Sequence, residues 1–230
     1  MKVAILVDGG FFLKRYHCIK GFEKEDPAEL VAQNLVKYCF KHIQRINAYR
    51  DRYNLPSMEL YRIFYYDAKP FDGDSRNPVT NKAISFKNTP QYKFRNALFE
   101  ELKKQRKIAL RLGFLKNSSK EWTIRSRHTK SLINGKTEIK DIKDNDLEFP
   151  LNQKGVDMKI GLDIATLAFK DMVNQMVLIA GDSDFVPVAK FARREGVDFI
   201  LDPMLNPIDP SLHEHIDGLM TIRNMNNGMR

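Results

Sequence analysis

Short apolar runs alternate along this chain with segments of helical period, and no other property of the sequence restricts the fold as tightly. Lys2–Val7 (KVAILV), Met58–Tyr66 (MELYRIFYY), Gln175–Ala180 and Val197–Leu201 read as strands. A run that is apolar throughout, rather than alternating, marks a parallel strand buried on both faces. Between the first two runs, Leu30, Val31, Leu35, Val36, Tyr38 and Cys39 recur at three- and four-residue spacing, the stripe of one long helix. Asp26 is the expected N-cap of that helix and Pro27 its first residue. Gln91–Lys107, Val156–Phe169 and Val186–Arg194 repeat the helical period, with Gly196 as a stop. The alternation predicts an α/β fold with a central parallel sheet and helices on both faces.

The middle of the chain reads differently. Phe71–Pro90 carries loop-forming residues, and Ile108–Leu115 and Glu121–Arg127 look like two strands joined by a turn over Lys116–Lys120. Ser131–Pro150 is polar and has no period. A single domain over 1–230, with a basic α+β elaboration at about 67–150, accommodates these features. Towards the end, Pro210–His215 reads as a short helix, Gly218–Arg223 as a last strand and Asn226–Arg230 as frayed.

The chain has 230 residues, 43% hydrophobic and 29% charged, as expected of a soluble globular protein. No apolar run approaches the ~20 residues that span a bilayer, and the N-terminus lacks the pattern of a secretory signal. A cytoplasmic location without membrane attachment is expected, with Cys18 and Cys39 as reduced thiols. The net charge of +9 favours a polyanionic partner, nucleic acid foremost. Whether the chain forms a homo-oligomer is left open.

Five acids stand out. Asp8 ends the first apolar run, and Asp182 and Asp184 follow the third in Gly181-Asp182-Ser183-Asp184-Phe185. The carboxyl ends of parallel strands are where ligands bind in open α/β sheets. Asp157 opens a helix after Lys154-Gly155-Val156. Asp163 lies six residues on, about 600° around the helix axis and therefore on another face. It either supports a ligand or is structural. Asp8 as a turn former and Asp182 as a helix cap are the plain alternatives. Carboxylates gathered from three separate elements point to a divalent metal and to phosphoryl chemistry.

Val7-Asp8-Gly9-Gly10, then Lys154-Gly155-Val156-Asp157 through Asp163-Ile164-Ala165, then Gly181-Asp182-Ser183-Asp184-Phe185, taken in order, resemble the NYN domain in its bacterial LabA-like form. That domain is a branch of the PIN-like nuclease superfamily. The resemblance implies a PIN-like three-layer fold and an acidic pocket for Mg²⁺ or Mn²⁺. It also implies endoribonuclease activity leaving 5′-phosphate and 3′-hydroxyl ends. It carries Asp8, Asp157, Asp182 and Asp184 over as catalytic, metal-binding acids and Asp163 as an auxiliary one. The family commonly has Asn three residues after its first Asp; here that residue is Phe11, which implies a substitute such as Ser183 or Lys154. The expected activity is metal-dependent cleavage of single-stranded RNA, favoured over single-stranded DNA. The alternative is a catalytically weak or inactive nucleic-acid-binding or assembly protein on the same fold.

Lys103, Lys104, Arg106, Lys107, Arg111, Arg125 and Arg127 form a dense positive stretch, read as a nucleic-acid track. Of the interleaved aromatics, Phe94, Phe99 and Phe114 are expected in the core, and Trp122 is undecided. His213-Glu214-His215 lacks a further ligand at useful spacing and reads as a solvated segment. A haloacid-dehalogenase-like phosphatase would need an acid two residues after Asp8, where Gly10 stands.

Overall fold

In the computed structural model, which describes residues 1–117 and 121–226, strand β1 (Lys2–Asp8) lies inside a seven-stranded sheet. Val3 to Val7 are fully buried. Each large aliphatic side chain placed this way contributes ~1.5–3 kcal/mol relative to exposure. The chain continues through α1 (Gly9–Arg15), α2 (Ala28–Arg52), β2 (Glu59–Lys69), β3 (Asp74–Arg76), β4 (Ala83–Ser85), α3 (Pro90–Lys104) and β5 (Ile108–Lys116). Then come β6 (Thr123–Ile124), α4 (Ser126–Ile133), β7 (Leu147–Glu148), β8 (Asn152–Lys154) and α5 (Val156–Phe169). The last elements are β9 (Gln175–Ile179), α6 (Val186–Arg194), β10 (Asp198–Asp202), α7 (Pro210–His213) and β11 (Gly218–Leu219).

The sheet order is β11-β10-β9-β1-β2-β5-β8. All pairings in it are parallel except that of β5 with β8. The chain first builds outward from β1 through β2 to β5, then crosses back to β9 on the other side. Right-handed crossovers in opposite directions put helices on opposite faces. One face of β1 (Val3, Ile5, Val7) packs with Leu35, Tyr38 and Cys39 of α2 and Leu98 and Leu102 of α3. The other (Ala4, Leu6) packs with Ile160 and Ile164 of α5 and Ala189 and Ala192 of α6. This is the three-layer arrangement expected of a PIN-like fold.

The core elements follow the sequence pattern, with small shifts at their ends. Pro27 is the N-cap of α2 rather than its first residue, because the Asp26 carboxylate is taken by the Tyr16 hydroxyl at 2.7 Å. Helix α3 starts at Pro90 behind a Thr89 cap.

The elaboration departs from expectation. Phe71–Pro90 is not only loop: β3 and β4 pair as an antiparallel hairpin. Glu121–Arg127 is not a full strand. Only Thr123–Ile124 is extended, it pairs with β7, and the chain turns helical at Ser126. Strand β5 pairs instead with β8. The cause is a contact invisible to local periodicity. Phe149 lies 5.5 Å from Trp122, 5.2 Å from Phe86 and 5.9 Å from Phe71. The Trp122 indole donates to Ser75 Oγ at 2.9 Å. These aromatics make a small separate core that holds the β3–β4 hairpin to the β6–β7 pair. The expected turn over Lys116–Lys120, and Asn226–Arg230, fall largely outside the described residues.

At the end of β10, Asp202 is fully buried. It accepts from Tyr38 Oη (2.6 Å), His42 Nε2 (2.8 Å), Thr221 Oγ1 (2.7 Å) and Met204 N (2.8 Å). One carboxylate thus clasps α2, β10 and the chain after β11. Asp202→Ala leaves buried donors unmet and is expected to cost about 3–5 kcal/mol in urea unfolding. A loss below about 1 kcal/mol would refute the clasp.

Candidate functional site

The sheet reverses its order of construction between β1 and β9, and the crevice outside the carboxyl ends of those strands is where acids collect. Asp8 is the last residue of β1. Its Oδ1 accepts from Phe11 N at 3.0 Å and so caps α1. Asp157 sits in the first turn of α5, which Gly155 opens at φ 77°, a left-handed conformation that suits glycine. Asp182 follows β9, accepts from Asp184 N at 3.1 Å and caps the single 3-10 turn Ser183–Phe185. Asp182, Asp184 and Asp157 are exposed, while Asp8 is half-buried.

The acids act on one another electrically. Burial pushes the Asp8 carboxyl up from 3.8 to about 6, and the charges of Asp157 and Asp67 add to the rise against the pull of the Phe11 and Gly10 N–H groups. Asp157 is also raised, by burial and then by Asp182 and Asp184. Asp157 is thus raised by the Asp182–Asp184 side of the crevice and in turn raises Asp8. Among the described residues, no three acidic, histidine or cysteine side chains stand close enough to hold an ion between them. The acids form an open rim, not a closed cage. Hard carboxylate oxygens still suit Mg²⁺ or Mn²⁺, and Mg²⁺ commonly binds through one or two carboxylates plus waters and substrate phosphate.

The other expected site residues fall in several places. Asp163 is occupied: its Oδ2 accepts from Tyr66 Oη at 2.8 Å and Arg111 Nε at 3.0 Å, anchoring α5 to β2 and β5. Arg111 also lies over the Phe64 ring at 5.4 Å. Lys154, exposed, ends β8 immediately before the α5 N-terminus, and Ser183 lies between the two acids of the 3-10 turn.

The basic stretch does not make one track. Lys104, Arg106 and Lys107 lie where α3 hands over to the start of β5, at the opposite end of the strands from the acids, while Lys103 lines a groove along α3 that extends to Phe71 and Leu115. Lys103 and Lys104 pair with Glu100 and Glu101, and Lys107 Nζ donates to Leu60 O at 2.5 Å. Arg125 and Arg127 are beyond β5, bonded to the Leu147 and Asn145 carbonyls. Strand β5 runs from one edge of the sheet to the other, so cations adjacent in sequence separate in space. Phe94 and Phe99 pack in the core, but Phe114 is 54% exposed, contrary to expectation. Cys18 and Cys39 are free thiols, and no described helix is long and apolar enough to cross a membrane.

Asp67 is an acid that the sequence pattern does not single out. It is buried inside β2, pairs with Arg95, and accepts from Ala68 N at 2.7 Å and Tyr65 Oη at 3.3 Å. The available signal was an acid ending an aromatic run beside Asp8's strand.

The family model of the NYN domain matches residues 79–207, which include Asp157, Asp163, Asp182 and Asp184 and exclude Asp8. No curated protein matches the chain. Among solved structures, a protein of unknown function from Vibrio parahaemolyticus is similar over 96% of this chain and 92% of its own, at 14% identity and a TM-score of 0.43.

The raised Asp8 carboxyl has a sign that can be checked. The folded protein keeps a proton that the unfolded chain releases, so stability falls as pH rises between about 4 and 6, by up to about 3 kcal/mol. Asp8→Asn keeps a capping oxygen and removes the titration. The metal-free variant is expected to melt above wild type near neutral pH and to lack that fall. Parallel melting curves for the two proteins across the window would disprove it.

Proposed function

The chain belongs to the NYN domain family, and on that premise we propose that it is a metal-dependent nuclease that hydrolyses phosphodiester bonds in single-stranded RNA. Members of this PIN-like family are generally nucleases and typically use divalent metal ions. The observation that carries the reading is the coupling of Asp157 to Asp8 on one side and to Asp182 and Asp184 on the other. A carboxylate raised by neighbouring carboxylates at a strand-end crevice is poised to share a cation with them.

Asp8, Asp157, Asp182 and Asp184 are the residues that would hold Mg²⁺ or Mn²⁺. When bound, the ion supplies a water of lowered pKa and positive charge to offset the phosphate. The chain's own part is positional. The N–H of Phe11 and the first turn of α5 fix the Asp8 and Asp157 carboxylates on either side of the crevice. Lys154 offers a cation to the incoming backbone, and the net charge of +9 favours the approach of a polyanion to an otherwise acidic rim.

A second reading, a nucleic-acid-binding or assembly protein with little or no catalysis, is favoured by Phe11. A Cβ on Gly181 would lie 2.5 Å from the Phe11 ring. An apolar ring therefore fills the floor between Asp8 and the Asp182 turn, at the position where the family commonly has Asn.

Labelled single-stranded RNA and DNA, incubated with Mn²⁺, Mg²⁺ or EDTA, separate the two. Wild type is expected to cut RNA only with metal, and Asp182→Asn to slow cutting by about 10²-fold or more. Equal rates would sink the acid assignment; RNA retained but uncut by wild type selects the second reading. In a salt titration of RNA binding, Lys154→Glu is expected to weaken affinity and flatten the slope. The pair Lys104→Glu and Arg106→Glu, at the far end of the strands, is expected to leave both within about twofold. The reverse order would restore the track.

A further inference from the structure

A cavity of about 260 Å³ lies between the carboxyl end of β2, the first turns of α3 and β8. Phe71, Phe86 and Tyr92 line it, together with Asp67, Arg95 and Gln153. Nothing in the metal-centred mechanism uses it. We propose that it holds one unstacked guanine base of the nucleic-acid substrate, beside the phosphate presented to the acids; this rests on the nuclease reading above.

Size comes first. The volume is below the ~300–1,000 Å³ of pockets for drug-sized ligands, and leaves room for a single planar ring system. The walls are aromatic and half-buried, and they are held from behind. Phe71 and Phe86 meet edge-on at 5.2 Å, and Phe149 with Trp122 backs them. Tyr92 stands in the first turn of α3, with its N–H bound to the Thr89 hydroxyl at 3.3 Å. Unpaired bases are captured by stacking on such rings.

The polar end of the cavity selects among bases. The Arg95 side chain remains 30% exposed while one of its nitrogens, Nη1, is held by the buried Asp67. The Asp67 oxygens are occupied by Arg95, Tyr65 and the Ala68 N–H, so the carboxylate orients the guanidinium and is not itself available to a ligand. The remaining guanidinium nitrogens offer donors arranged as a fork, with the Gln153 amide, donor and acceptor, elsewhere in the lining. Guanine presents two adjacent acceptors, N7 and O6, to a fork of this kind, whereas adenine sets a donor beside its N7.

Position ties the cavity to the acids. Asp8 is in register with Tyr66 on the neighbouring strand, one residue before Asp67, and the Asp67 charge is felt by Asp8. On the opposite wall, a Cβ at Gly10 would lie 3.4 Å from Asp8 Oδ1 and 3.8 Å from Gln153 Oε1. A base in the cavity is thus one neighbour away from the rim where the phosphate would sit.

The chain's one tryptophan, Trp122, packs behind the aromatic wall and gives a signal independent of catalysis. Titration of the full-length protein with GMP, AMP, CMP and UMP in EDTA is expected to show saturable binding, with GMP tighter by about tenfold. Tyr92→Ala is expected to weaken GMP by about tenfold or more and Tyr92→Phe to preserve it. Arg95→Lys keeps a charge opposite Asp67 but loses the fork, and is expected to abolish the preference for GMP. Equal binding of the four nucleotides, or an unaltered Tyr92→Ala that still melts as wild type, overturns the proposal. Mapping cut sites on random-sequence RNA separates it from the nuclease reading. Metal-dependent cutting without guanine beside the sites overturns the pocket alone. Guanine-selective binding without cutting supports the pocket and overturns the nuclease.

Discussion

Burying β1 on both faces and along both edges is the constraint around which the rest of the chain is arranged. Its backbone groups have to be paired, and β2 and β9 pair them from either side. Its side chains need cover from above and below, which one helical layer cannot supply. Because parallel crossovers keep one hand, growth towards β2 and β5 places α2 and α3 on one face, and growth towards β9 and β10 places α5 and α6 on the other. The reversal leaves a crevice at the end of β1, and Asp8 stands in it.

Three acids stand at or near the carboxyl ends of core strands, Asp67 and Asp202 buried and Asp8 half-buried, and their partners differ. Asp202 receives four donors and becomes a structural clasp. Asp67 receives a guanidinium and an amide. Asp8 receives backbone amides and otherwise faces further negative charge. The difference lies in what remains unmet after folding. Of the three, the Asp8 arrangement leaves a net electrostatic demand that a ligand would satisfy, and for that reason the proposed function rests on it.

The core was legible because two-sided burial writes itself as continuous apolar runs. Val156–Phe169 and Val186–Arg194 form helices with the limits their periodicity indicates. The places of Asp8, Asp157 and Asp182 in the fold were legible because each stands at or beside the end of a strong element. The elaboration was not, since its order depends on Phe71, Phe86, Trp122 and Phe149 meeting across long stretches of chain. Asp67 was hidden because its partner, Arg95, lies on another element. The cations at 103–127 misled because proximity in sequence carries no information about which edge of a sheet a residue occupies.

Strand order also sets a timetable. Strand β1 leaves the ribosome well before β9, which begins at Gln175 and alone closes its second edge. Until then the chain carries an open, strongly apolar strand edge of the kind that invites wrong pairing. The same delay has a protective side. Asp8 and Asp182 are brought together only by β9, so a nascent chain that stops short of it cannot assemble the acidic rim. On the proposed activity, the protein would thereby be made beside its messenger in a form that cannot yet act on it.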